Sequence, residues 1–136
     1  MKRFLFASII LGLTATSINA KVIRNYTSQS DDKLVFKVDS IDYRSDLTRV
    51  YGKLFGRPHT SNRIDGVTIM TTGTTSTSND IDGVDFHRYF QWEEEGSIPV
   101  ELDFPAMKDS QGIQLIFDTP LGHSHTHVKV QPTQRK

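Results

Sequence analysis

The chain has 136 residues, of which 36% are hydrophobic and 24% are charged, and its 16 basic side chains balance its 16 acidic ones. This length is typical of a single domain, and the charge balance excludes the excess of Lys and Arg with which nucleic-acid-binding proteins displace counterions. The chain contains no cysteine, which excludes disulfides, thiolate metal sites, iron–sulfur clusters and cysteine nucleophiles.

Residues 1–20 have the pattern of a secretory signal peptide. Lys2 and Arg3 supply the positive start, and residues 4–13 form an apolar stretch that is too short to span a membrane. The residues that follow are small or polar and end with Ala20, a suitable residue for signal cleavage. We therefore expect an exported product in the periplasm or outside the cell, with no transmembrane segment.

The rest of the chain has the period-2 alternation of half-buried strands. In residues 33–41, Leu34, Phe36 and Val38 fall on one face, and the β-branched and aromatic residues of 47–55 also favour a strand over a helix. The same criteria predict further strands at residues 67–71, 86–93, 98–104, 112–118 and 122–130. About seven strands with no helix are typical of a β-sandwich.

One of these segments, residues 86–93, fits two structures. The spacing of Phe86, Tyr89 and Phe90 suits a helical face, whereas the alternation of the segment suits a strand. We favour a strand because a glutamate-rich hairpin loop follows it and leads into the strand at 98–104.

Residues 71–79 form a Ser/Thr-rich segment. This segment lacks the apolar residues that a core strand needs. It is predicted to be an exposed loop or a ragged sheet edge, and the most mobile part of the domain.

The stretch Leu34–Arg57 (LVFKVDSIDYRSDLTRVYGKLFGR) resembles the opening of immunoglobulin-like domains in small exported bacterial proteins of uncharacterised function. The likeness lies in two long strands on either side of a charged turn. It implies a single immunoglobulin-like antiparallel β-sandwich, which we expect to occupy residues 21–131 and to be followed by a polar tail at residues 132–136. The Cys–Trp–Cys pattern of antibody domains is absent, so nothing about antibody-type binding follows.

Three of the five histidines, His123, His125 and His127, alternate along one predicted strand. They share a face of that strand, where neighbouring positions lie about 6.6–7 Å apart at the backbone. This spacing suits a two-histidine chelate for zinc, copper or nickel. The candidates for the further ligands that a complete site needs are His87, Glu93 and Asp118. The other interpretation is a solvated polar face, because the opposite side of the strand points to the core.

The aromatic residues near the middle of the chain are candidates for contact with a sugar or a partner protein. Aromatic side chains with a polar group are frequent at interfaces. Phe86 and Phe90 are assigned to the core, and Tyr89 and Trp92 are the predicted partner-binding residues. The sequence has no G-x-S-x-G elbow, no H-E-x-x-H helix and no phosphate-binding glycine loop.

These observations predict a small exported β-sandwich that binds a protein or a surface glycan and has no catalytic activity. The alternative is a periplasmic metal-binding protein that uses the three histidines of the last strand. Neither interpretation predicts an oligomeric state.

Overall fold

The computed structural model describes residues 21–24, 26–31 and 33–130. This part of the chain contains twelve strands and no helix. The strands are β1 (Lys21–Ile23), β2 (Tyr26–Ser30), β3 (Val35–Tyr43), β4 (Leu47–Phe55), β5 (Ser61–Arg63), β6 (Gly66–Thr71), β7 (Thr74–Thr77), β8 (Asp80–Asp82), β9 (Tyr89–Gln91), β10 (Ser97–Pro105), β11 (Gly112–Thr119) and β12 (Gly122–Val130). The prediction of an all-β fold is confirmed, and five short strands, β1, β2, β5, β7 and β8, add to the seven expected.

Ten of the strands form two five-stranded antiparallel sheets. Sheet 1 has the order β1–β3–β4–β10–β8 and sheet 2 the order β2–β12–β11–β6–β7, while β5 pairs with β9 in a separate ribbon. The inner faces of the two sheets share one hydrophobic core, in which the ring centroids of Phe36 on β3 and Phe117 on β11 lie 5.1 Å apart. The two sheets therefore pack face to face.

Alternation along the long strands decides which side chains enter the core. On β3, Phe36 and Val38 are buried while Lys37 between them is exposed. A bulge follows Val38, since the register with β4 shifts between Val38 and Ser40. The alternation resumes after the bulge, so that Ile41 is buried next.

The predicted hairpin between residues 86–93 and 98–104 is wrong. The strand in the first segment is the short β9, which pairs with β5, whereas β10 lies between β4 and β8 in sheet 1. The reason is that Trp92, directly after β9, turns into the core and donates its indole N–H to the carbonyl oxygen of Leu54 at 3.1 Å. The expected glutamate-rich turn is present, but it connects β9 to a strand of another sheet.

The Ser/Thr-rich segment lies at the edge of sheet 2. Its residues 74–77 form β7, which pairs with β6 along its whole length. A two-residue turn at Thr72 and Gly73 joins the two strands, and Gly73 has a φ of 82°, which favours glycine.

Serine side chains join the two sheets along one side of the sandwich. Ser30 Oγ accepts the N–H of Phe36 at 3.1 Å, and Ser28 Oγ accepts the N–H of Val38 at 3.0 Å. Because β2 belongs to sheet 2 and β3 to sheet 1, these bonds satisfy with side chains the part of the β3 edge that β1 does not cover.

The predicted signal peptide, residues 1–20, and the predicted polar tail, residues 132–136, lie outside the described residues. Within the described ranges, the structure has no helix of the length and apolar character needed to cross a membrane.

Candidate functional site on the outer face of sheet 2

The outer face of sheet 2 carries the three histidines of β12. His123 and His127 are exposed and His125 is half-buried, whereas Ser124 and Thr126 between them are fully buried. The predicted division of this strand into two faces is confirmed. We call the outer surface of the sheet the histidine face, and its side chains belong to Thr27, Gln29, Thr68, Met70, Thr75, Thr77, Gln114, Ile116, Asp118, His123, His125, His127 and Lys129.

The buried hydroxyl groups of β12 have partners on the β2 side. Ser124 Oγ lies 2.5 Å from Asp31 Oδ1, and the N–H of His125 donates to Asp31 Oδ2 at 2.9 Å. Thr126 Oγ1 lies 2.8 Å from Ser30 Oγ. Partial desolvation favours the neutral form of Asp31, but the hydrogen bonds to its carboxylate outweigh desolvation and lower its pKa. These bonds let β12 keep polar residues on both faces.

Each histidine of β12 lies opposite a residue of β11, and side chains of β11 hold two of the imidazole rings. The cross-strand pairs are His123 with Asp118, His125 with Ile116 and His127 with Gln114. Nδ1 of His123 lies 2.5 Å from Oδ1 of Asp118. The side-chain nitrogen of Gln114 reaches diagonally to Nδ1 of His125 at 2.6 Å.

These contacts give the Nε2 atoms of His123 and His125 different roles: one keeps a lone pair and the other carries a proton. In the neutral ring of His123, Nδ1 donates to the carboxylate of Asp118 and Nε2 keeps its lone pair. The amide of Gln114 donates to Nδ1 of His125, which places the proton of the neutral ring on Nε2. Of this neighbouring pair, His123 is therefore the ring that presents a metal-binding nitrogen.

The structure brings together one of the three predicted further ligands. Asp118 contacts His123, but His87 pairs with Asp65, 3.3 Å away. Glu93 lies in a turn, in which its carbonyl oxygen accepts a hydrogen bond from the N–H of Gly96. Among the described residues, no group of three or more His, Asp or Glu side chains is placed to hold a metal ion.

Two shallow depressions flank His127 and Lys129. One, of about 350 Å³, lies over Gly112, where a Cβ would have no atom within 4 Å. Its other lining side chains include Met70, Thr71, Thr72 and Gln114. The second, of about 330 Å³, lies on the other side, against Thr27, Ser28 and Gln29 of β2. Lys129 forms no ion pair with any carboxylate in the described part of the chain.

Comparison of the chain with family models, with curated proteins and with solved structures finds no match.

The two outer faces of the sandwich differ in charge. On sheet 1, Arg49 donates to both oxygens of Asp103 at 2.6 and 3.0 Å, and Lys53 lies 3.7 Å from Asp39. The Lys, Arg, Asp and Glu side chains of that face are Lys37, Asp39, Asp42, Arg49, Lys53, Asp80, Asp82, Glu101 and Asp103. The histidine face has only Asp118 and Lys129 as charged members, and most of its other side chains are uncharged hydrogen-bonding groups.

The two predicted partner-binding aromatic residues differ in exposure. Trp92 is 3% exposed, and its ring lies against Gly56 and edge-on to Phe90, with ring centroids 5.2 Å apart. Trp92 is therefore a core residue, which corrects its assignment to a binding surface. Tyr89 is 64% exposed and lies under the guanidinium of Arg63, 5.1 Å from its ring centroid.

Tyr89 borders the histidine face through a short chain of contacts. Arg63 donates two hydrogen bonds to the carboxylate of Asp65, at 2.8 and 3.0 Å, which lower the pKa of Asp65. The N–H of Asp65 donates to the carbonyl oxygen of Asp118 at 2.8 Å. Tyr89 therefore lies near the end of the histidine face that contains His123.

Four residues of the candidate site, Gln29, Met70, Gly112 and Gln114, are not among those predicted from the sequence. Alternation along β6 and β11 indicates which of their residues face outward. The missing information is the strand order of sheet 2, which places β2 and β11 on either side of β12 and β6 beside β11.

Proposed function

We propose that the protein is an exported binding module that holds a glycan on the histidine face, around His127 and Lys129. The supporting observation is a surface rich in hydrogen-bonding groups, with Lys129 as its cation and a depression on each side of these two residues. The amides of Gln29 and Gln114 and the imidazole of His127 both donate and accept hydrogen bonds. A ligand rich in hydroxyl groups requires that combination. The proposed role is binding without catalysis.

The composition of the face favours a glycan over a protein partner. Protein interfaces are enriched in aromatic residues, Met and Arg at their centres. The histidine face consists mainly of Thr, Gln and His, with Met70 and Ile116 as its apolar members. At the other end of the face, which contains His123, the exposed ring of Tyr89 offers an apolar surface on which a further sugar ring of a longer glycan can stack.

Export and the immunoglobulin-like classification are further parts of the proposal. Export rests on the signal-peptide pattern of residues 1–20. Two antiparallel sheets packed face to face support the classification.

A glycan array probed with the purified protein tests this function. We expect binding to a restricted set of glycans, an affinity at least tenfold lower in the Gln114→Ala and His127→Ala variants, and unchanged affinity in Lys53→Ala, on the outer face of sheet 1. Equal binding by all four proteins would contradict the histidine face as the site. Failure to bind any glycan, together with capture of a protein by the wild type alone, would replace the glycan with a protein partner.

Metal binding is a second proposal, and the contact between Asp118 and His123 supports it. A metal-ligating histidine commonly donates its other ring N–H to a carboxylate, as the ring of His123 does to Asp118. His125 and His127 are the proposed fellow ligands for zinc, copper or nickel. For His125 to bind, the amide of Gln114 must turn so that its oxygen accepts the Nδ1–H of the ring, which frees the lone pair of Nε2. Calorimetric titration of the metal-free protein should show stoichiometric binding that is lost in the triple alanine variant of the histidines.

An Asp118→Asn variant separates this metal site from adventitious binding to a histidine-rich surface. Because the carboxylate orients the ring and raises its basicity, we expect metal affinity about 10–100-fold lower. Equally weak binding by the wild type and both variants would overturn the metal proposal and leave the glycan proposal untouched.

A further inference from the structure

We propose that the protein forms a closed dimer in which β7 pairs antiparallel with β7 of a second copy. β7 pairs with β6 on one side, and in the described part of the chain no strand pairs with its other side. The unpaired N–H and C=O groups of an edge strand are a ready template for another strand.

The hydrogen-bond pattern identifies which groups of β7 point to the free edge. The N–H of Ser78 donates to the carbonyl oxygen of Val67 at 2.8 Å, in register with the β6–β7 pairs. Hydrogen-bonded and non-hydrogen-bonded pairs alternate along an antiparallel ladder. Thr75 and Thr77 are therefore in non-hydrogen-bonded pairs with β6, and their backbone N–H and C=O groups point away from it.

β7 has four residues, one more than β1 or β8, and it carries neither the charged side chains nor the proline that keep an edge strand from pairing. Edge strands are commonly protected by charge, proline, short length or a covering segment. β8 carries Asp80 and Asp82, β1 has three residues and begins with Lys21, and β2 is bonded to β3 through serine side chains. Residues 71–78 contain only Thr, Ser and Gly, and threonine favours strand pairing.

Two features identify the occupant of this edge as a second copy of the chain. Two uncharged β7 strands meet without repulsion, whereas two β8 strands would bring Asp80 and Asp82 of both copies together. The opposite edge of sheet 2 is bonded to sheet 1, so pairing at β7 cannot propagate and ends with a closed two-fold dimer.

In the proposed pairing, the two-fold axis passes midway between Ser76 of one copy and Ser76 of the other. Thr75 of each copy then lies opposite Thr77 of the other, and each such pair exchanges both backbone hydrogen bonds. The axis is perpendicular to a continuous ten-stranded sheet, so both histidine faces lie on the same side. A ligand with repeated units would engage both copies at once. The dimer does not depend on the identity of that ligand.

Cross-linking tests this contact directly, because the chain has no cysteine of its own. In Ser76→Cys, the two cysteines would form a non-hydrogen-bonded pair with Cα atoms about 4.5 Å apart, within the range of a disulfide. Thr27→Cys, an exposed position on β2, is the matched control. We expect mild oxidation to give a covalent dimer with Ser76→Cys and a monomer with Thr27→Cys. Equal yields for the two variants, or no dimer with Ser76→Cys, would overturn the proposal.

Sedimentation equilibrium tests the dimer without a cross-link, on protein expressed from the full sequence. The mass should rise with concentration from monomer to dimer and no further. Thr75→Pro removes an N–H that points away from β6, a position where an edge strand tolerates proline, and should raise the Kd at least tenfold. Thr75→Val keeps the N–H and should retain the dimer.

A monomeric wild type at all concentrations, or an unchanged Kd in Thr75→Pro, would rule out pairing through β7. A mass that continues to rise beyond the dimer would contradict the closed assembly. If the proline variant loses its fold, Thr75→Lys provides the same test, because it keeps the backbone N–H and introduces like charges across the two-fold axis.

Discussion

The indole ring of Trp92 rests directly on the backbone of Gly56, since a Cβ on Gly56 would lie 2.6 Å from both Cε2 and Cε3 of the ring. We expect Gly56→Ala to displace the indole and weaken its hydrogen bond to the carbonyl oxygen of Leu54. The free energy of unfolding should fall by about 1–3 kcal/mol, as for other overpacked cores. Urea denaturation followed by fluorescence measures this change, because Trp92 is the only tryptophan.

Gly112→Ala is the matched control for that substitution. Gly56 directly follows the last residue of β4, and Gly112 is the first residue of β11. A Cβ on Gly112, however, would meet no atom within 4 Å. Its replacement should leave stability unchanged or raise it by up to about 1 kcal/mol, because alanine reduces the entropy of the unfolded chain. An equal loss of stability in both variants would contradict the steric explanation for Gly56.

Thr48 and Thr126 form a second matched pair, because both are fully buried but only one has a partner for its hydroxyl. Thr48 Oγ1 has no hydrogen-bond partner among the described residues, whereas Thr126 Oγ1 lies 2.8 Å from Ser30 Oγ. We expect Thr48→Val to raise the free energy of unfolding by about 1 kcal/mol and Thr126→Val to lower it by about 1–2 kcal/mol. Chemical denaturation of both variants checks this, and changes of the same sign would contradict it.

Asp31 should make the protein sensitive to acid. Its pKa is lowered in the folded protein, so the unfolded chain binds the proton more readily. The resulting stabilisation is complete above the unfolded-state pKa of about 3.9 and is lost as the pH falls through the lower folded value. Asp31→Asn should therefore be less stable than the wild type at pH 7, by about 1 kcal/mol after allowance for solvent screening.

Denaturation of Asp31→Asn and the wild type across pH 7 to 3 measures this contribution. The difference between them should narrow below about pH 4, where Asp31 of the unfolded wild-type chain takes up its proton before Asp31 of the folded protein does. A Ser124→Ala variant removes one of the hydrogen-bond donors, so its effect and that of Asp31→Asn should not add. A stability difference that stays constant across the whole pH range would contradict the role of Asp31.

The sequence predicts the long strands and their faces well, because side-chain alternation is a local property of each strand. The buried positions of β3 and the outward histidines of β12 follow from period 2 alone. The shortest strands, β1, β5, β8 and β9, have three residues each, which is too few for a period to appear.

Pairing between distant segments could not be predicted in the same way. The burial of Trp92 depends on Gly56 and Leu54, which are far from it in the sequence. The same limit applies to the candidate site, where Gln114 meets His125 only because β11 and β12 pair in one particular register. The sequence therefore predicts which histidines share the outer face, but not which ring nitrogen Asp118 or Gln114 contacts.

Gly112 provides a direct test of the depression beside Lys129. A side chain at Gly112 would project into open space on the histidine face, so a series of Ala, Val and Tyr should fill the depression progressively without disturbing the core. If a glycan binds there, its affinity should fall in that order, by at least tenfold for Gly112→Tyr, while the unfolding midpoint stays close to that of the wild type. Full affinity in Gly112→Tyr would move the ligand to the second depression, against β2, where Gln29→Ala would then be the variant that loses binding.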